Sequence, residues 1–169
     1  MIETARLLII PLDHRQLSLY LEADGKFEIE FGLSLTGRRA DPGVKERVIE
    51  FILPRITLAT GDSYLFYTFW IVIERSTQRI VAELGFKGEP NDRGEIEIGY
   101  GTMPGYRSKG LMTEAVGAVV DWAKKRNDVK YILAETDEDN TASIRVVQKN
   151  WFTHFNTKGK MLWWKIAVK

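Results

Sequence analysis

Cysteine is missing from this chain altogether. Its absence removes disulfides, thiol nucleophiles and thiolate metal sites from consideration, and it accords with a cytoplasmic location. Histidine is nearly as scarce. His14 and His154 are the two copies, and they lie too far apart in sequence to read as a metal pair; His14 fits the opening of a helix and His154 an exposed hairpin position. No metal is expected. Neither sign of charge is in excess, since the formal net charge is +1. No lysine- and arginine-rich run with interleaved aromatics occurs either, so nothing argues for a nucleic-acid partner. Met1 to Arg6 carry no signal-peptide pattern. The longest apolar run, Tyr64 to Ile73, falls well short of the roughly 20 residues that span a bilayer, so the chain reads as soluble with no membrane partner. Repeats, low-complexity tracts and linkers are also lacking. Residues 1–169 are therefore read as a single domain, and 44% hydrophobic residues suffice for a real core.

What is present centres on Glu95 to Arg126. Alternation from Glu95 to Tyr100 marks a half-buried strand, and from Leu111 the apolar period becomes helical. The loop between them is short and basic, contains Gly105 and Gly110, and has no acidic residue. A strand, such a loop and a helix aim several unpartnered N–H groups at one point, where the helix dipole adds positive charge. Arg107 and Lys109 add formal charge at the rim. A phosphate or pyrophosphate cradle is one reading of this loop, and a solvated surface turn is the other.

Elsewhere Leu7 to Leu12 reads as a strand, and Asp13 caps a helix to about Glu22. Lys26 to Leu33 is ambiguous, because Phe27, Ile29 and Phe31 alternate between Gly25 and Gly32. Thr36 to Arg39 looks like loop. Pro42 opens a helix carrying Val44, Val48, Ile49 and Ile52, which Pro54 should kink or interrupt. Gly61 ends that segment. Phe66–Glu74, Ile80–Lys87 and the Glu95 strand form an expected antiparallel meander. After the central helix come a strand at Tyr131–Thr136, a helix capped by Asn140 and running to Lys149, and a terminal hairpin of Trp151–Asn156 with Met161–Val168. The expected class is α+β: one mixed, mostly antiparallel sheet of about seven strands flanked by helices.

Two blocks together resemble the GNAT superfamily of acyl-CoA-dependent N-acyltransferases, and within it the RimJ/RimL-like branch. The superfamily motif Arg/Gln-x-x-Gly-x-Gly/Ala is met by Arg107-Ser108-Lys109-Gly110-Leu111-Met112, except that Met112 replaces the small last residue. Glu97-Ile98-Gly99-Tyr100, Met103-Pro104-Gly105-Tyr106 and Thr113-Glu114-Ala115 fit the branch. A second motif, Asn-x-x-Ser followed by Lys-x-Gly-Phe, is met by Asn140-Thr141-Ala142-Ser143 and Lys149-Asn150-Trp151-Phe152, with Trp151 in place of glycine. The resemblance extends along essentially the whole chain and implies a sheet splayed in its middle.

It further implies an enzyme that transfers the acetyl group of acetyl-CoA directly to a primary amine, either a protein N-terminus or a small molecule. The cofactor residues it implies are Tyr100, Gly101, Thr102, Arg107, Ser108, Lys109, Gly110, Leu111, Met112, Asn140, Ser143 and Lys149. The Arg107–Met112 loop would hold the pyrophosphate and Tyr100–Thr102 would pair with the pantetheine arm. Gly99 and Gly101 favour a bulge that opens the sheet, or else tight packing of a neighbouring aromatic.

Acyl transfer to an ammonium needs a base, an oxyanion donor and a proton for the thiolate. A backbone N–H near Thr102 is the candidate oxyanion donor. Glu97 and Glu135 are the candidate bases; the alternative for each is a solvated or salt-bridged strand glutamate. Some relatives carry a proton-donating tyrosine where this chain has Val147. Ser143 is the matching candidate, or else a polar residue of a helix's first turn. Acidic residues Glu95, Glu97, Glu135 and Asp137 to Asp139 would favour a cationic acceptor or form a solvated face. Residues 26–60 are expected to wall the acceptor side. A CoA-binding sensor without turnover is the alternative, a P-loop hydrolase lacks its Gly-Lys-Ser/Thr ending, and a homodimer is compatible with the sequence.

Overall fold

The computed structural model describes residues 1–22, 25–37 and 42–169; Arg38 and Arg39 of the expected loop lie outside them. Among the described residues eight strands form one sheet in the order β1-β2-β3-β4-β5-β6-β8-β7. They are β1 (Ile2–Glu3), β2 (Leu7–Pro11), β3 (Phe69–Glu74), β4 (Arg79–Phe86), β5 (Glu95–Thr102), β6 (Tyr131–Asp137), β7 (Thr153–Lys158) and β8 (Met161–Ala167). The two-residue β1 is the strand beyond the expected set, too short for any period to reveal it. The meander β3-β4-β5 and the terminal hairpin β7-β8 form as expected. The β5-β6 pair is parallel and every other pair antiparallel.

One face of the sheet packs on α5 (Leu111–Lys124) and α6 (Thr141–Lys149). Val116, Val119 and Ala123 of α5 lie fully buried against Ile96, Ile98, Ile132 and Ala134. Asn150 clips α6 to α5: its Nδ2 donates to the Thr113 carbonyl at 3.1 Å, and a Cβ on Gly117 would stand 2.9 Å from its Oδ1. On the other face lie α1 (His14–Tyr20), α2 (Lys26–Glu30), α3 (Pro42–Arg47) and α4 (Leu53–Leu58). They enclose a second core of Leu17, Tyr20, Phe27, Val48 and Ile56 against Ile71, Ile73 and Ile80. Asp13 caps α1 in a reciprocal box with Gln16.

Several local expectations change. Lys26–Glu30 is a helix, because Phe27 and Phe31, four apart, stack at 4.5 Å while Ile29 is 66% exposed; the alternation was not a strand's. The α-helix is interrupted ahead of Pro54, as expected. A π-turn over Val48–Ile52 loosens the ladder just before it, so Pro54 falls in the first turn of α4. Leu65 and Phe66 belong to a 3-10 turn ahead of β3.

The glycine bulge is also corrected. The β4-β5 register runs unbroken from Phe86↔Ile98 through Gly85↔Gly99 and Glu83↔Gly101 to Ala82↔Thr102. The shift lies instead between β3 and β4, where Val81 is the extra residue. The sheet nonetheless splays: β5 and β6 pair from Glu95↔Tyr131 to Ile98↔Ala134 and then part, while β6 continues along β8 to Asp137.

Candidate active site

Where β5 leaves β6, its backbone keeps half its partners. The Lys87 amide donates to the Glu97 carbonyl and the Met103 amide to the Val81 carbonyl, both at 2.9 Å and both toward β4. Strand alternation therefore turns the N–H and C=O groups of Tyr100 and Thr102 away from β4, into the gap that β6 has left. Those are groups an added strand-like chain would satisfy. Gly99 and Gly101 have ordinary extended backbones, and a Cβ on either would meet nothing within 4 Å. Neither strain nor packing against an aromatic calls for glycine here; the bareness keeps open space open.

The gap leads to the basic loop. Gly110 is the N-cap of α5 with φ +74°, and Ser108 is also left-handed at +61°. The first-turn amides of Leu111, Met112 and Thr113 have no partner inside the helix. Around them lies a cavity of about 580 Å³ lined by Tyr100, Gly101, Thr102, Arg107, Ser108, Gly110, Leu111, Met112, Asn140, Ser143 and Lys149. One space thus gathers every expected cofactor residue except Lys109, whose ammonium lies 4.9 Å from the Tyr106 ring centre. Tyr106, Thr113 and Arg145 also line it. Arg107, Arg145 and Lys149 are its cations, and among the described residues no acidic one lines it, which suits a polyanion. Met112 is buried, its bulk taken up by the core. Trp151 stands at φ +65° and is 84% exposed, which explains why glycine is the usual residue there.

Arg6, unmarked in the sequence, braces this loop. Its Nη1 donates to the Lys109 carbonyl at 3.1 Å and its Nε to Glu114 Oε2 at 2.6 Å, while Thr4 Oγ1 donates to Glu114 Oε1 at 2.6 Å. Burial alone would raise the Glu114 carboxyl, but the hydrogen bonds from Thr4 and Arg6 and the Arg6 charge hold it below its ordinary value. A lowered folded-state value means stability present above the unfolded pKa and lost as pH falls through the folded one. Glu114→Gln is expected to cost on the order of 1 kcal/mol at pH 7 and little at pH 3; urea denaturation at the two pH values checks this.

Ser143 sits in the first turn of α6, where Asn140 Oδ1 accepts from its backbone N–H at 3.1 Å. Its hydroxyl donates to the Tyr100 hydroxyl at 3.0 Å, and the latter contacts the Ser143 carbonyl at 3.2 Å. Burial raises the Tyr100 phenol above its ordinary value, and the Ser143 hydrogen bond only partly offsets this. The phenol therefore stays protonated at neutral pH. A tyrosine hydroxyl thus reaches α6 from the facing strand, although Val147 is buried and offers none.

The expected bases share one cation. Lys87 Nζ pairs with Glu97 and lies 3.6 Å from Glu135. Glu95 is bound by Lys165 at 2.8 Å, and Lys160 lies 3.0 Å from Asp139 and 3.9 Å from Glu138. Three lysines thus offset the acidic cluster in part, Lys87 and Lys160 each being shared by two carboxylates.

A second cavity, of about 630 Å³, lies between the β4-β5 surface and the α3-α4 wall. Val44, Arg47, Val48, Phe51, Ile52 and Arg55 line the wall side, and Glu83, Gly85, Lys87, Gly99, Tyr100 and Gly101 the sheet side. It shares Tyr100 and Gly101 with the basic cavity, so the two meet where the strands part.

Residues 6–153 match the acetyltransferase (GNAT) domain family, and the chain belongs to that family. Its class is the acetyl-CoA-dependent N-acetyltransferases. Uncharacterized N-acetyltransferase YjdG of Bacillus subtilis (strain 168) is 27% identical over 169 residues, covering 100% of this chain and 99% of YjdG. Among solved structures, the fold is similar to RimL, a ribosomal L7/L12 alpha-N-protein acetyltransferase in complex with coenzyme A. That match has a TM-score of 0.67 at 15% identity, over 97% of this chain and 95% of that one. It is also similar to yncA of Salmonella typhimurium, a putative acetyltransferase with acetyl-CoA, with a TM-score of 0.60 at 16% identity over 97% and 95%.

Proposed function

We propose that this protein is a cytoplasmic enzyme of the RimJ/RimL-like kind that moves the acetyl group of acetyl-CoA to a primary amine by direct attack. The observation that carries the reading is the parting of β5 from β6 beside a basic, acid-free cavity. In this reading the Arg107–Met112 amides, with Arg107, Arg145 and Lys149, hold the pyrophosphate. Tyr100 and Thr102 hydrogen-bond the arm along the bare strand. When bound, acetyl-CoA supplies the activated acyl carbon.

The chain's own residues do the rest. The Thr102 N–H, aimed into the gap, stabilises the oxyanion. The Ser143–Tyr100 hydroxyl pair gives a proton to the departing thiolate. Glu97 and Glu135, which flank Lys87, take the ammonium's proton through water. The acceptor is a protein N-terminus or a small amine; RimL's substrate, a protein α-amine, makes peptides one arm of any screen. The sensor alternative rests on Val147 in place of the tyrosine and on the substitutions Met112 and Trp151, and the Tyr100–Ser143 pair weighs against the first of these.

The test is acetyl-CoA titration by calorimetry, followed by thiol release with an amine panel. Binding without release with any amine would favour a sensor. Tyr100→Phe combined with Ser143→Ala is expected to cut kcat by about 10²-fold or more with acetyl-CoA affinity little changed. An unchanged kcat would leave thiolate protonation to water.

A further inference from the structure

The second cavity holds a carboxylate that the mechanism above does not use. Glu83 is half-buried on β4, directly opposite Gly101 in the β4-β5 register. Register partners face the same side of a sheet, and Gly101 has no side chain to screen Glu83 from the point where the two cavities meet. The buried Tyr20 of α1 donates its hydroxyl to Glu83 Oε1, and Tyr20 is itself packed edge-on against Phe27 at 5.2 Å. Tyr20 thereby fixes the carboxylate from behind. Among the described residues no cation contacts Glu83, whereas Glu97 and Glu135 already share Lys87. Among the described residues that line the cavity, Glu83 is the only acidic one.

The rest of that lining describes what the charge belongs to. Val44, Val48, Phe51, Ile52, Tyr67, Phe69, Leu84 and Phe86 give the cavity apolar walls, and Phe51 is 53% exposed at its mouth. Arg47 and Arg55 also line it, so a second positive charge on a ligand that reached the helical wall would meet like charge. Resting on the acetyltransferase reading, we infer that Glu83 binds the ammonium of the acceptor, and that the acceptor is a primary monoamine on an apolar body rather than a polyamine or aminoglycoside. An ammonium held by Glu83 lies beside Gly101, at the place where the acyl carbon is delivered. The same chemistry is offered by a small aralkyl amine and by a peptide that begins with an apolar residue.

The experiment measures thiol release at saturating acetyl-CoA with four acceptors: 2-phenylethylamine, a short peptide beginning with phenylalanine, spermidine and kanamycin. One of the two apolar monoamines is expected to exceed both polycations in kcat/KM by about tenfold or more, and which one it is separates small molecule from peptide. Glu83→Gln should lower that kcat/KM on the order of 10- to 100-fold, the scale of a lost charged hydrogen bond, with acetyl-CoA affinity by calorimetry unchanged. Phe51→Ser, at an exposed position that leaves folding intact, should raise KM for the apolar acceptor and leave kcat alone. A preference for spermidine or kanamycin, or an unaltered kcat/KM in Glu83→Gln while acetyl-CoA still binds, would overturn the inference and leave the acetyltransferase reading standing. Failure of the parent protein to bind acetyl-CoA would remove that reading and this inference with it.

Discussion

Gly110→Glu is expected to weaken acetyl-CoA binding by at least about 100-fold, because it acts on the cradle in two ways. Gly110 caps α5 at φ +74°, a conformation that costs an L-residue about 1–2 kcal/mol. The new carboxylate also stands where a diphosphate must approach the first-turn amides. Space is not the obstacle, since a Cβ there meets only Arg6 Nη2 at 3.7 Å, an ordinary contact. Gly110→Ala separates the two effects: it should show the conformational cost in thermal stability and a much smaller loss of affinity. Calorimetric titration of both variants, with melting curves beside it, is the measurement. Unaltered affinity in Gly110→Glu would place the diphosphate elsewhere.

The second large effect is expected at Gly101→Val, and it runs in the opposite sense for stability. The backbone there is extended, no neighbour lies within 4 Å of a built Cβ, and valine suits a strand. The variant should therefore fold as stably as the parent, or more so by about 0.5 kcal/mol. Yet its side chain would occupy the point where the two cavities meet, so acetyl transfer should fall by about 10²-fold or more. Loss of turnover in a protein with an undiminished melting temperature would mark Gly101 as kept for ligand rather than for fold. A variant that destabilised the protein would instead reveal a packing role that the open space does not provide for.

These two glycines also show how far the sequence could be read. Two glycines in a strand signal a departure from regular pairing, and the splay was expected, but its mechanism was not. The extra residue is Val81, within the run Ile80-Val81-Ala82, where three apolar residues in succession give alternation nothing to register. The Phe27/Ile29/Phe31 pattern failed for a related reason: over five residues a period of two and a period near four both place Phe27 and Phe31 together. By contrast Asp13, Asn140 and the Leu111 helix were legible because a cap and an amphipathic face are local properties.

The site divides along the same line. Its basic half is written in two continuous segments, 97–115 and 140–152, so the motif residues could be named before any contact was known. Arg145 escaped notice although it lies inside one of them; as a cation two residues beyond Ser143 it could have been found. Arg6, Tyr20, Glu83 and Lys87 could not. Arg6 meets Glu114 across 108 positions of chain and Tyr20 meets Glu83 across 63, and no spacing rule reaches that far. Pairing through Lys87 likewise ties up two of the acids that looked like an attraction for cations, and leaves that surface negative.

The parallel join between β5 and β6 consists of four residue pairs. Among the described residues it is the only strand pairing between the strands that precede α5 and those that follow it. A guest that lies along Tyr100 and Thr102 lengthens that seam by lending amides of its own, so for as long as it stays it is part of the fabric. Grip on the guest and stiffness of the host then become a single property of the molecule, tightened and relaxed together with each turnover.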